Sequence, residues 1–121
     1  MTTVPTLDET LATTSQSSPS RACFLLRVRP ERLPEYADVH QRVWEEMRSA
    51  LSRVGWRNYS LFLDPSSGLV VGYYEADDAR AASEAIAATG VNARWQREMA
   101  QYFEPGGGGE AQILHQYFYL P

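Results

Sequence analysis

Only two histidines occur in the 121 residues, His40 and His115. His40 follows Tyr36 by four residues and precedes Trp44 by four, so on a helix the three side chains share one face. An imidazole titrates near neutral pH and can both take and give a proton there. Set between aromatic rings, it suits acid–base work on a small uncharged ring compound. A histidine packed in an apolar seam is the competing reading of the same spacing. His115 lies in an aromatic C-terminal run and reads as a cross-strand packing residue. The chain holds seven Tyr, three Trp and four Phe. Tyrosine and tryptophan rings stack on the apolar faces of sugars while their O–H and N–H groups bond hydroxyls. Phe24, Phe62 and Phe118 read as core, whereas Tyr36, Tyr59 and Trp95 are placed to reach the His40 end of a sheet. Trp44, the largest residue of its helix face, is assigned to packing.

Other chemistries find little support. No HxH, HxxxH or Cys/His pair is present, so neither metal nor any other cofactor is expected. The lone Cys23 allows no internal disulfide, and its place inside a strand suggests an inert buried thiol. Every one of the 11 basic residues is arginine, which removes Schiff-base lysine chemistry and the P-loop. There is no G-x-S-x-G elbow, and the glycine run 106–109 lacks a strand–turn–helix setting. Net charge is −4 with no basic stripe, so no nucleic-acid partner is expected. No apolar run approaches the roughly 18 residues of a membrane span.

The elements that must position these residues begin after a tail. Residues 1–20 hold 12 Thr, Ser or Pro and no aromatic or basic residue, the composition of a disordered segment. They lack the charged start and apolar centre of a signal peptide, so a cytoplasmic protein is expected. The folded domain is expected over 21–121. Residues 22–28 read as a strand. An apolar period of 3.6 from Leu33 to Val54 predicts one long amphipathic helix, stopped by Gly55. Alternation over 57–64, a PSSG turn and a second run to residue 76 predict a hairpin. An Ala-rich helix over 78–88, capped by Asp77 or Asp78, precedes a second helix that carries Val91, Trp95 and Met99. The stretch 104–111 reads as a flexible glycine loop, and 112–120 as a last strand. The order β-α-β-β-α-β is that of a ferredoxin-like α+β fold with an antiparallel sheet. One layer of helices covers one sheet face. The strands look apolar on both, so a homodimer packed sheet to sheet is predicted.

From Arg21 onward the sequence resembles the L-rhamnose mutarotase family. The resemblance is carried by PERLPEYADVHQRVW around Tyr36 and His40, NYSLFLD around Tyr59, ARWQREM around Trp95, and the closing FYLP. It implies a dimeric α/β barrel that interconverts the α and β anomers of L-rhamnose, or a related deoxysugar, without a cofactor. It further implies that His40 is the acid–base catalyst and that Tyr36, Tyr59 and Trp95 contact the sugar. Gln96 stands where the family often has a second tryptophan wall. Gln41-Arg42 stand where Asn-Pro is usual, and both changes touch the pocket. Two other readings remain: an enzyme of this fold recruited to another small substrate, and a non-catalytic dimeric ligand-binding module in which His40 only packs.

Overall fold

The computed structural model describes residues 3–121. The first sheet strand, β1 (Arg21–Arg27), pairs antiparallel with β3 (Leu69–Glu75), which pairs antiparallel with β2 (Arg57–Asp64). A short β4 (Gln112–Ile113) closes the other edge of β1, giving the order β2-β3-β1-β4. That order and the connecting helices make a ferredoxin-like α+β fold. No described helix is long and apolar enough to cross a membrane.

Register fixes the two faces of the sheet. Phe24 lies opposite Gly72 and Leu26 opposite Val70, so these residues face the helices together with Tyr74. Phe24, Val70 and Tyr74 are buried there, next to Ala79 and Ile86 of helix α4 (Ala79–Ala87) and Val91, Trp95 and Met99 of helix α5 (Gly90–Met99). Both helices begin on side-chain caps: Asp78 accepts from the Ala81 N–H, and Thr89 from that of Asn92. Cys23, Leu25, Phe62, Val71 and Tyr73 occupy the opposite face, where Phe62, expected in the core, stays 64% exposed.

The segment expected to be one long helix is two. Helix α2 (Leu33–Val39) passes through a 3-10 turn (His40–Arg42), and helix α3 (Glu45–Arg53) starts only after Val43 and Trp44, whose ψ angles of 136° and 135° are extended. The end of α2 shows why. Its Tyr36 and Ala37 carbonyls accept from the side chains of His40, at 2.8 Å, and Gln41, at 3.0 Å. Helix ends leave carbonyls without backbone partners, and here two side chains supply them. The α3 terminus follows the sequence expectation. Gly55, at φ 101°, lets the Gly55 N–H reach Ser52 O and the Trp56 N–H reach Leu51 O, a Schellman closure.

Three other expectations change. Within the tail, Leu7–Thr13 form helix α1, held by a capping box in which Thr6 and Glu9 bond reciprocally. None of its residues is buried, but Pro19 and Ser20 carbonyls accept from Ala79 and Ala76, so the end of the segment joins the domain. The glycine loop is anchored rather than loose: Arg27 N–H donates to Gly108 O, and a Cβ on Gly108 would lie 2.7 Å from Arg27 O. The last strand stops at Ile113. The chain beyond it turns to the N-terminal segment, where Gln116 accepts from Ser18 N–H and Gln16 from Tyr119 N–H. Phe118 leaves the sheet with it and is exposed rather than core.

Candidate active site

Between the helix-facing side of the sheet and the helices lies a cavity of about 850 Å³. That volume suits a small-molecule ligand. The 3-10 turn delivers His40 to its wall, and α5 delivers Trp95 and Gln96. Strand β2 delivers Tyr59.

His40 is fixed in orientation and tautomer. A carbonyl oxygen can only accept, so its 2.8 Å contact with Tyr36 O requires Nδ1 to carry the proton. Nε2 is then the nitrogen with a free lone pair in the neutral ring. Partial burial lowers the imidazole pKa from its ordinary value, and the bond to the Tyr36 carbonyl opposes this in part. The neutral, basic form therefore prevails at neutral pH. The ring sits 4.3 Å from that of Tyr36 and 5.5 Å, edge-on, from that of Trp95. Trp44, 36% exposed, packs edge-on at 5.1 Å against Trp95 and is not itself among the lining residues. Its assigned packing role thus takes the form of a brace on the cavity wall.

Tyr36 and Tyr59 occupy different places. Tyr36 is 5% exposed, packs its ring on that of His40, and is not among the residues that line the cavity. Burial pushes its phenol up to about 12, so it stays protonated. Tyr59 lines the cavity and keeps 40% of its surface open, while its ring packs on Trp56 at 4.9 Å. Desolvation among these rings raises its phenol pKa, and the charges that Tyr36 and Tyr74 would carry add to the rise. Its hydroxyl is therefore a standing hydrogen-bond donor.

Sequence reasoning did not single out Trp56 and Tyr74. Their rings stack at 3.6 Å, 12° from parallel, and both line the cavity. Trp56 Nε1 donates to Ala82 O, and the Tyr74 hydroxyl to Ala79 O, which ties both rings to α4. The signal for Trp56 was its place directly after the helix-stopping Gly55. For Tyr74 it was the alternation of β3, which turns every second residue to the helices. Asn92 is another wall residue not singled out, one turn before Gln96 on α5. Among the described residues no group of three His, Cys, Asp or Glu side chains could hold a metal ion.

A sequence model of L-rhamnose mutarotase matches residues 21–120. The chain belongs to the L-rhamnose mutarotase family. Its relatives include the L-rhamnose mutarotase of Pectobacterium atrosepticum, 34% identical over 102 residues that cover 83% of this chain and 97% of that one. The L-rhamnose mutarotase of Enterococcus faecalis is 34% identical over 84 residues, 69% of this chain and 81% of that one. Among solved structures, an L-rhamnose mutarotase from Formosa agariphila superposes with a TM-score of 0.69 at 18% identity, covering 84% of this chain and 98% of that one. A dimeric ferredoxin-like protein from an uncultured marine organism matches at a TM-score of 0.51 and 13% identity, over 78% of this chain and 85% of that one. These two likenesses establish the fold, in agreement with the sheet order above. The family match begins at Arg21, the first residue of β1, and so excludes α1.

Proposed function

We propose that this chain interconverts the α and β anomers of L-rhamnose, or a closely related deoxysugar, with His40 as the acid–base catalyst and no cofactor. One observation carries the assignment of the catalyst. The Tyr36 carbonyl holds His40 Nδ1, leaving Nε2 as the basic nitrogen of a residue that lines an aromatic cavity. With the sugar bound, Nε2 takes the proton of the anomeric hydroxyl. The C1–O5 bond breaks as the C1 carbonyl forms, and the ring oxygen takes up the proton that Nε2 has accepted. C1 rotates, and the reverse transfers close the ring on the other face. Tyr59 donates a hydrogen bond to a sugar oxygen, Trp95 offers an apolar wall, and Gln96 offers an amide beside it. Tyr36 acts through His40, holding the imidazole by its carbonyl and its ring.

The open sheet face supports the rest of the reading: a homodimer in which Phe62, Val71 and Leu25 of two copies meet. A homodimer mass by light scattering at micromolar concentration is expected, and a monomer would refute it. The activity is tested by saturation-transfer NMR on L-rhamnose. Exchange between its anomers should rise in proportion to added protein. Exchange at the uncatalysed rate would overturn the proposal.

A further inference from the structure

The cavity lining contains two unlike sets of side chains. Aromatic and aliphatic side chains, among them Phe24, Trp56, Leu61 and Ile113, make up one. The other carries Gln41, Arg42, Arg48, Asn92 and Gln96. The chain has 15 Asp and Glu against 11 Arg, yet among the described residues no Asp or Glu lines this cavity, while Arg42 and Arg48 are lining residues whose guanidinium groups extend to its exposed side. We infer that this polar region receives an anionic substituent, a carboxylate or a phosphate, and that the enzyme's substrates extend from the neutral deoxysugar to hexoses carrying such a group. This inference rests on the mutarotase reading of the same cavity.

The donor inventory favours an acceptor-rich group. Gln96 Nε2 bonds Asn92 Oδ1 at 3.3 Å, which orients the two amides side by side. That contact uses one N–H of Gln96 and leaves both N–H groups of Asn92 for other acceptors. Arg42 contacts Asp38 through Nη2 alone, and Arg48 approaches Glu45 through Nη1 at 3.7 Å. A guanidinium has five N–H donors, so each keeps several in hand. Both ion pairs are solvent-exposed, and such pairs contribute little, so a ligand anion competes for them at small cost. A carboxylate or phosphate would accept from a guanidinium fork in paired geometry, whereas the methyl group of a deoxysugar leaves these exposed donors to water and their present partners.

Placement agrees with the chemistry. The turn that carries His40 carries Gln41 and Arg42 as its next two residues. Asn92 and Gln96 flank Trp95, whose ring meets that of His40. In a pyranose the exocyclic carbon is attached next to the ring oxygen. A sugar with its anomeric centre and ring oxygen at His40 therefore projects that substituent within a few bonds of the catalyst, on the stretch of lining to which the residues beside His40 and Trp95 belong.

The test uses the full chain and saturation-transfer NMR. The probes are L-rhamnose, then D-glucuronate and D-galacturonate for the carboxylate, and D-glucose 6-phosphate and D-galactose 6-phosphate for the phosphate. D-Glucose and D-galactose serve as neutral parents. At least one anionic sugar should exchange with a kcat/KM at least about tenfold above its neutral parent, the low end for charge-assisted hydrogen bonds. The preference should shrink as salt is raised. The double variant Arg42→Gln, Arg48→Gln, confirmed folded by circular dichroism, should lose it. Which series responds identifies the carboxylate or the phosphate as the anion. If L-rhamnose exchanges but no anionic sugar outpaces its parent, this inference is overturned and the mutarotase reading stands. A preference that survives in the double variant overturns it equally. If L-rhamnose does not exchange either, both fall.

Discussion

Replacing His40 with alanine removes the nitrogen assigned to proton transfer and the side chain that closes the end of α2. The two losses can be sized separately. A positioned acid–base group is worth about 10²–10⁴ in rate, or roughly 3–5 kcal/mol of barrier. The bond from Nδ1 to the Tyr36 carbonyl is a single neutral hydrogen bond at 2.8 Å, worth about 1 kcal/mol of stability. A shift of that size lowers Tm by a few degrees and leaves the chain folded at 25 °C. His40→Ala should therefore exchange L-rhamnose anomers at least about a hundredfold more slowly while keeping its circular dichroism spectrum. His40→Gln, which retains a polar donor but cannot titrate near neutrality, should be as slow. The wild-type pH profile adds a sign. Because burial lowers the imidazole pKa, the basic form persists below the ordinary histidine value of 6.5, and the acid limb of kcat/KM should fall with its midpoint under pH 6.5. The same shift means the unfolded chain binds the proton more readily. His40 should thus cost stability as pH drops from 6.5 toward its native pKa, and contribute no pH dependence above pH 6.5. A folded His40→Ala that exchanges anomers at the wild-type rate would refute the catalytic assignment and leave His40 as a packing residue.

Tyr59→Phe should cost roughly 1–3 kcal/mol in kcat/KM through a sugar oxygen left unpaired, and Tyr36→Phe clearly less, since its hydroxyl lies outside the cavity; NMR exchange rates for the pair decide it. Gly72→Ala would set a Cβ 2.2 Å from Phe24 Cζ, so urea unfolding should show a loss of about 1–3 kcal/mol as the ring is displaced. Removing residues 3–15 takes away α1, none of whose residues is fully buried, and should move Tm by no more than a few degrees. Extending the cut through Pro19 also removes the carbonyl bonded by Ala79 N–H, and should lower Tm further in a thermal melt.

Much of the fold was legible because its signals are local. The hairpin could be read from the alternation of 57–64 and the PSSG turn, whose Asp64 side chain indeed accepts from Ser66 and Ser67. The Asp78 cap and the Gly55 stop were likewise written in single residues. The break between α2 and α3 was not, because hydrophobic period survives it: Tyr36, Met47 and Ala50 all still reach the core. What breaks the helix is competition for the Tyr36 and Ala37 carbonyls by the side chains of His40 and Gln41, which apolar spacing does not report. In the tail, overall Ser/Thr/Pro content masked a genuine local signal, the Thr6-x-x-Glu9 box. Tyr36 and His40 were recognised together, but which of them faces ligand depends on how the turn rotates the imidazole. Arg48, Asn92, Trp56 and Tyr74 come to the cavity from separate stretches of the chain, a convergence that only tertiary packing creates.

The chain's three tryptophans all stand at this one site. Trp56 and Trp95 are in the cavity wall, and Trp44 abuts Trp95 at 5.1 Å. The protein therefore carries its own optical reporter. Its indole emission arises wholly from the cavity wall and the tryptophan packed on it, with no distant indole to dilute the signal. A sugar that displaces water from Trp95, or quenching by a protonated His40 5.5 Å away, would register in intensity and wavelength without any label. Single substitutions could then divide the response between the His40 side and the Trp56–Tyr74 side, and ligand affinity could be followed even in variants that no longer turn over.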